Sequence, residues 1–482
     1  MTIPEATEVE INTEWSKIST QLIQDPENLK LWQQLIDAAE FNNKRGITKS
    51  TPVPQVELLR VSYQELLKKF PLLFNYWIKL ATWEFKLNAD RDKAVEVYQQ
   101  GLQHLPYCIE LWISYLQFRI DTLKDEEDLN EVLKLFEHAR GLIGYHFHGF
   151  EFYKLYLTFL ESYQDADNQF LKKFYILLRV ILEIPIYHYE YFYKKWFNII
   201  AQIGQDQEFA KKVVPFIVQV KELKGSDYKT LSVNLKKLFI DAYITTQFKV
   251  YELFHYEKKL SRQYYDVKLI SRQQLDLWFQ YLEFLEIKKS SYPTKLLELT
   301  YQRFIYATAR YTDCWIKYAD FYIFHEKYNS AKSALTRGLI YNGDYRILLK
   351  LVDLEVFLKQ YFRARELIVN YISNNVSVPI PVFEKLLSIE RVFSENDDEY
   401  ILQLFKQIIQ ETQNDYFFNV LLNYSIDPSK AQEVIMTALT SSLMNFNDNN
   451  ANGISIKIMP GMTYSHGRSQ NSQLINTGTW IK

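Results

Sequence analysis

A tryptophan-led pattern recurs along this chain every ~34–45 residues, the interval of a helical-hairpin repeat. Trp77, Leu80 and Glu84 lead into Ala94, Val97, Tyr98, Leu102 and Pro106, and Trp112, Tyr115 and Phe118 follow at once. Further along, Trp278, Tyr281 and Glu283 lead into Leu297, Tyr301 and Arg303; Trp315, Tyr318 and Phe321 lead into Ala331, Ala334, Leu335 and Leu339. A unit of this kind cannot bury its own apolar face and must stack on its neighbours. The expectation is therefore a solenoid, and a solenoid is a surface for holding other molecules.

Composition agrees with helix packed on helix. The 482 residues include 36 Tyr and 32 Phe against only 13 Gly and 13 Pro, too few breakers for a sheet with many turns. The formal charge of −2 gives no global basic field of the kind that draws nucleic acid. Lysine pairs nevertheless gather mid-chain. Lys194, Lys195, Lys211, Lys212, Lys258 and Lys259 are the candidates for contact with RNA phosphates or an acidic partner, although a solvated outer face is the stronger reading. Cys108 and Cys314 stand far apart, each inside a repeat, and read as small core residues of a reducing compartment. The acidic N-terminal stretch lacks a signal-like apolar run, and no apolar run is long enough to span a bilayer, so a soluble intracellular protein with no membrane contact is expected.

The pattern divides the chain into an N-terminal array over residues 14–203, a linker and bridging helix over 204–272, a C-terminal array over 273–445 and a flexible polar tail over 446–482. The first hairpin opens at Trp32 and closes at Phe70-Pro71, and later ones open at Trp77, Trp112, Phe152 and Tyr191. The rhythm falters between Gly204 and Ser226. A long helix is expected from Leu231 to Arg262, and the repeat weakens after Leu348.

Each repeated residue has a structural duty. Trp32, Trp77, Trp112, Trp278 and Trp315 should fill the groove against their own return helices, and Ala94 and Ala331 should let those helices approach. Glu84, like Glu40 and Glu161, stands near the end of a first helix, where a basic residue of a neighbouring helix could pair with it, and Glu283 is the repeat acid of the Trp278 helix. Pro106 and Pro185, like Pro71, should stop a helix and turn the chain. No phosphate loop, paired-histidine metal helix or nucleophile elbow appears. His146 and His148, the only close histidine pair, read as ordinary loop residues rather than a metal set. No catalytic residue, cofactor or metal is expected.

The Trp-aromatic-Glu helix followed by an Ala-rich, Pro-terminated helix resembles the HAT (half-a-TPR) repeat of RNA-processing assemblies. Phe70-Pro71-Leu72-Leu73-Phe74-Asn75-Tyr76-Trp77, Ile181-Leu182-Glu183-Ile184-Pro185, the run from Glu257 to Trp278 and Tyr281-Leu282-Glu283-Phe284, and Trp315-Ile316-Lys317-Tyr318-Ala319 resemble successive segments of the pre-mRNA-processing factor 39 family. The resemblance covers roughly residues 14–440 in family order. It implies an all-α fold of two superhelical HAT arrays joined by a long helix, and a nuclear, non-enzymatic scaffold of the U1 small nuclear ribonucleoprotein, which recognises the 5′ splice site. It also implies partners among the U1 particle proteins, with weak contact to U1 snRNA or pre-mRNA. Dimerisation through the C-terminal array, with a second copy or a paralogous HAT protein, is implied too. The alternatives are a HAT scaffold of mRNA 3′-end cleavage or ribosomal RNA processing, or a protein that binds RNA directly.

Overall fold

The computed structural model describes residues 13–437 except 43–44, 89, 164–167, 218–226, 376, 394–397, 413, 425–428 and 430. The tail expected over 446–482 lies outside the described residues. The described chain is all-α apart from a two-residue antiparallel ladder, Phe41–Asn42 with Arg45–Gly46, in the loop of the first hairpin. It divides into two compact units, Met1–Arg310 and Tyr311–Lys482.

In the first unit, α1 (Thr13–Gln24) packs on α2 (Leu29–Glu40), which pairs with α3 (Val53–Lys69). The following hairpins are α4 (Phe74–Asn88) with α5 (Arg91–His104), α6 (Ile109–Asp121) with α7 (Glu126–Ile143), and α8 (Phe150–Ser162) with α9 (Asn168–Ile181). Short polar side chains start these helices as expected: Asn28, Asp90 and Asp125 each accept a hydrogen bond from a backbone N–H of the first turn. α10 (Tyr189–Gln205) is followed by α11 (Gln207–Ile217), which buries Ala210, Val213, Val214 and Ile217 against α9 and α10. The faltering stretch thus begins with a fifth return helix, one that holds Pro215 within its last turn. α12 spans Tyr228–Glu257 and packs on α10; it ends five residues short of Arg262, where Lys258 and Lys259 close its last turn on the carbonyls of Phe254 and Tyr256. α13 (Arg272–Ile287) and α14 (Thr294–Thr308) complete the unit.

The first compact unit runs on through the Trp278 hairpin. The Trp278 hairpin is held to the earlier part of its own unit. The Tyr107 N–H donates to Tyr306 Oη at 3.1 Å, and Tyr264 donates to Glu110. The turn after α7 reaches the end of α12 through His148 and Glu257, 3.5 Å apart.

The second unit runs through α15 (Thr312–Phe324), α16 (Tyr328–Tyr341), α17 (Tyr345–Phe357), α18 (Tyr361–Asn374), α19 (Ile380–Phe393), α20 (Asp398–Thr412) and α21 (Asp415–Tyr424). The weak repeats after Leu348 share one core, with Val352, Ile368, Phe383, Leu404, Ile408 and Phe417 all buried in it. α15 and α17 end in the same left-handed turn. Glu326 and Lys359 have φ of 57° and 60°, and the next N–H closes on a carbonyl five residues back, Lys327 on Tyr322 at 2.9 Å and Gln360 on Glu355 at 2.8 Å. A Cβ is disfavoured in this conformation. Lys359→Gly is therefore expected to raise stability by about 0.5–1 kcal/mol, read as a higher urea midpoint with unchanged slope.

Candidate interaction surfaces

The tryptophans do more than fill grooves. Trp32, Trp77 and Trp112 are buried, and each indole Nε1 donates to the carbonyl of a proline six residues earlier: Pro26 at 2.9 Å, Pro71 at 2.9 Å and Pro106 at 2.8 Å. Each proline turn is thereby tied to the helix that follows it. Pro185 is buried in the turn before α10 and makes no such bond with Trp196, whose Nε1 has no hydrogen-bond partner among the described residues. Trp278 and Trp315 are fully buried and lie beneath cations. The guanidinium of Arg303 stands 5.8 Å from the ring of Trp278, and that of Arg337 stands 5.9 Å from Trp315. The return helices also approach the tryptophans closely at two glycines. A Cβ on Gly101 would lie 2.9 Å from Trp77 Cγ, and one on Gly338 3.0 Å from Trp315 Cδ2.

Acids near the ends of first helices pair backwards. Glu84 accepts two hydrogen bonds from Arg60, at 2.6 and 2.8 Å; Glu355 accepts from Lys332 at 2.6 Å; Glu390 accepts from Arg365 at 2.5 Å. In each case the cation sits on the return helix of the preceding hairpin, 24, 23 and 25 residues upstream. These buried pairs bind one hairpin to the next. Glu40 accepts from Tyr63 at 2.5 Å and Trp83 at 2.8 Å, and Glu161 pairs with Lys195 at 2.5 Å. Glu283 is exposed; on the same helix it is Glu286 that accepts a hydrogen bond from the neighbouring helix, donated by Tyr301.

A deeply buried pair joins α12 to the Trp278 hairpin. Glu257 receives two bonds from Arg303, at 2.6 and 2.8 Å, and one from Tyr281 at 2.9 Å. Gln263 and His148 complete the shell, 3.3 Å from Arg303 and 3.5 Å from Glu257. Burial pushes the Glu257 carboxyl up, but the charge and hydrogen bonds of Arg303 outweigh it and hold the group well below the usual carboxylate range. His146 sits behind this pair with its Nδ1 accepting from the His148 N–H at 3.1 Å and its Nε2 without a partner among the described residues. Burial, then the nearby charges of Arg303 and His148, hold it well below its ordinary value. The close histidine pair is thus part of the packing at this junction.

A depressed histidine leaves the unfolded chain with more bound protons than the folded one below pH ~6.5, so stability present above that pH is lost as pH falls. The urea midpoint is expected to drop between pH 7 and 5, with a slope of up to about 1.4 kcal/mol per pH unit from this group. His146→Asn, which keeps an acceptor for the His148 N–H, should flatten that slope. An unchanged slope would place the acid sensitivity elsewhere.

Outward-facing residues are the candidates for partner contact. Lys194, Lys211, Lys212, Lys258 and Lys259 are exposed, while Lys195 is half-buried and engaged with Glu161. Lys258 lies over Phe254 at 5.5 Å, and Lys259 Nζ is 3.0 Å from His255 Nε2. Large apolar side chains are exposed at one repeated position of the second unit. Phe324 and Phe357, 77% and 66% exposed, end α15 and α17, and Val392 occupies the matching place near the end of α19. Ile287 at the end of α13 and Phe41 after α2 are exposed in the first unit. No described helix is long and apolar enough to cross a membrane.

The sequence model of the PRP39 N-terminal HAT repeat matches residues 16–198, and that of the PRP39 C-terminal HAT repeat matches residues 251–392. Among curated proteins, Pre-mRNA-processing factor 39 of Schizosaccharomyces pombe is 26% identical over 325 residues, covering 64% of this chain and 51% of that protein. The U1 small nuclear ribonucleoprotein component PRP42 of Saccharomyces cerevisiae is 28% identical over 353 residues, covering 70% and 62%. Human Pre-mRNA-processing factor 39 is 21% identical over 344 residues, covering 65% and 48%. The matched part of this chain thus spans between about half and three-fifths of the length of these relatives.

Proposed function

We propose a scaffold function in pre-mRNA splicing for this chain, which belongs to the PRP39 family of HAT-repeat proteins. It serves in the nucleus as a non-enzymatic subunit of the U1 small nuclear ribonucleoprotein and supports 5′ splice-site recognition and early spliceosome assembly by holding particle proteins. The observation that carries this reading is the match of both family models in chain order, joined to a relative whose name places it in the U1 particle. The geometry is in keeping with it. The polar constellations inside the repeats are engaged in joining one helix to another, which leaves the exposed faces for partners.

The C-terminal array dimerises, with a second copy or with a paralogous HAT protein, and the row Phe324, Phe357 and Val392 supplies apolar anchors for that contact. RNA contact is a minor contribution from exposed lysines such as Lys211, Lys212 and Lys258. The test is purification of the tagged full chain from a splicing-competent nuclear extract at moderate salt, with the retained RNA sequenced and the proteins identified. Recovery of U1 snRNA with its core proteins and a second HAT protein or second copy is expected. Recovery of cleavage factors or pre-ribosomal RNA would keep the fold and overturn the function. Phe324→Asp with Phe357→Asp should shift the sedimenting species to the monomer; an unchanged dimer would remove this row from the interface.

A further inference from the structure

α12 carries two apolar faces, and the fold uses one. Leu231, Leu235, Thr246, Val250, Leu253 and Glu257 form its buried seam. Val233, Ile240, Ile244, Phe248 and Tyr251 are between 42% and 74% exposed. At 100° per residue these five fall within about 80° of one another, on the side of the helix away from the seam, and extend along about 27 Å of it. A solvent-facing helix ordinarily turns a polar face outward, and one that is apolar on both sides is built to be covered on both. Single exposed apolar residues need no explanation, but a continuous stripe along several turns marks an interaction site.

The charges beside the stripe define its occupant. Lys229, Lys236 and Lys237 stand on this outer face, all exposed and without an ion-pair partner among the described residues; Asp241 is the acid on that face. A second copy of the helix would set these lysines against each other in parallel, or, about the midpoint of the stripe, against Gln247, Phe248 and His255 in antiparallel, with too few acids to answer them. Three aliphatic side chains in the stripe suit another apolar face better than stacked bases, which use aromatic platforms. We infer that the outer face of α12 is the docking site for an amphipathic helix of another protein, with apolar anchors at i, i+3/i+4 and i+7 flanked by Asp or Glu. The inference rests on this helix alone and holds whichever particle the chain serves.

The probe is a labelled synthetic helix of about 20 residues with Leu on one face and Glu beside it, compared with the same peptide carrying Lys in place of Glu. Binding to the full chain is read by fluorescence anisotropy. The Glu peptide is expected to bind at least about tenfold more tightly than the Lys peptide, and Ile244→Asp or Phe248→Asp should weaken it by about tenfold or more. Both side chains are exposed, so the melting of these variants should stay that of the parent chain. Lys236→Glu with Lys237→Glu should reverse the peptide preference. Equal binding of the two peptides, or indifference to Ile244→Asp, would overturn the docking site. A self-association abolished by Ile244→Asp would assign the stripe to a second copy instead. An unstructured RNA oligonucleotide whose binding is lost in the same variant would assign it to RNA.

Discussion

Replacing Glu257 with Ala is expected to destabilise the first unit by about 3–5 kcal/mol. The side chains of Glu257 and Arg303 are only 1% and 4% exposed, and their two hydrogen bonds lie behind Tyr281, Gln263 and His148. Removing the acid leaves a buried guanidinium that cannot lose its proton. The cost is that of an uncompensated buried charge, far above the ~0–1 kcal/mol of an exposed pair. The double variant Glu257→Met with Arg303→Met separates the two ideas. Removing both charges at similar volume should recover most of the loss. Urea unfolding of the full chain at neutral pH gives both values. A single-variant loss below about 1 kcal/mol would mean that the pair is solvated in the native chain. The linkage has a defined sign as well. A carboxyl held below its unfolded value adds stability above pH ~4.3, lost as pH falls, so the acid limb should steepen below that pH in the parent chain and not in the double variant.

Trp315→Ala should cost a similar amount, about 3–5 kcal/mol, in the second unit. The indole is fully buried, stacks with Tyr341 at 6.2 Å between centroids, lies under Arg337 and fits directly against Gly338. The absence of a Cβ at Gly338 lets the return helix come this close, so the cavity left by the substitution has rigid backbone on one side and cannot readily collapse. A loss under about 1 kcal/mol would show that the helices close over the gap and that Trp315 does not set their spacing.

The hairpins were legible in the sequence because their punctuation is local. Trp77 and Trp112 open helices shortly after a proline, and the same prolines supply the carbonyls their indoles bind. The all-α class followed from the scarcity of Gly and Pro and the recurring spacing. The partners of the acids were not legible, since Arg60 and Glu84 or Arg365 and Glu390 meet only when successive hairpins stack. A signal was nevertheless present: the near-constant interval of 23 to 25 residues between cation and acid, and the recurrence of Gly after Trp77 and Trp315. Glu283 and Glu286 lie on one helix and differ by less than a turn, so local pattern could not say which one faces a neighbour. α11 was hidden because Pro215 stands inside it, where a proline ordinarily marks a break. The end of α12 fell short of Arg262 because Leu260 turns inward after Glu257, where the buried pair holds the chain. Exposed aromatics such as Phe324 and Phe248 share composition with the core and were separated from it only by the packed structure.

On the function proposed above, the chain joins a ribonucleoprotein through protein faces rather than by reading RNA. The most direct measurement is the binding of the purified full chain to naked U1 snRNA and to the assembled U1 particle, side by side across a range of salt. Retention of the particle with little loss as salt rises, and weak binding to the naked RNA, are expected. Tight binding to naked U1 snRNA that falls steeply with salt, equal to that of the particle, would contradict it.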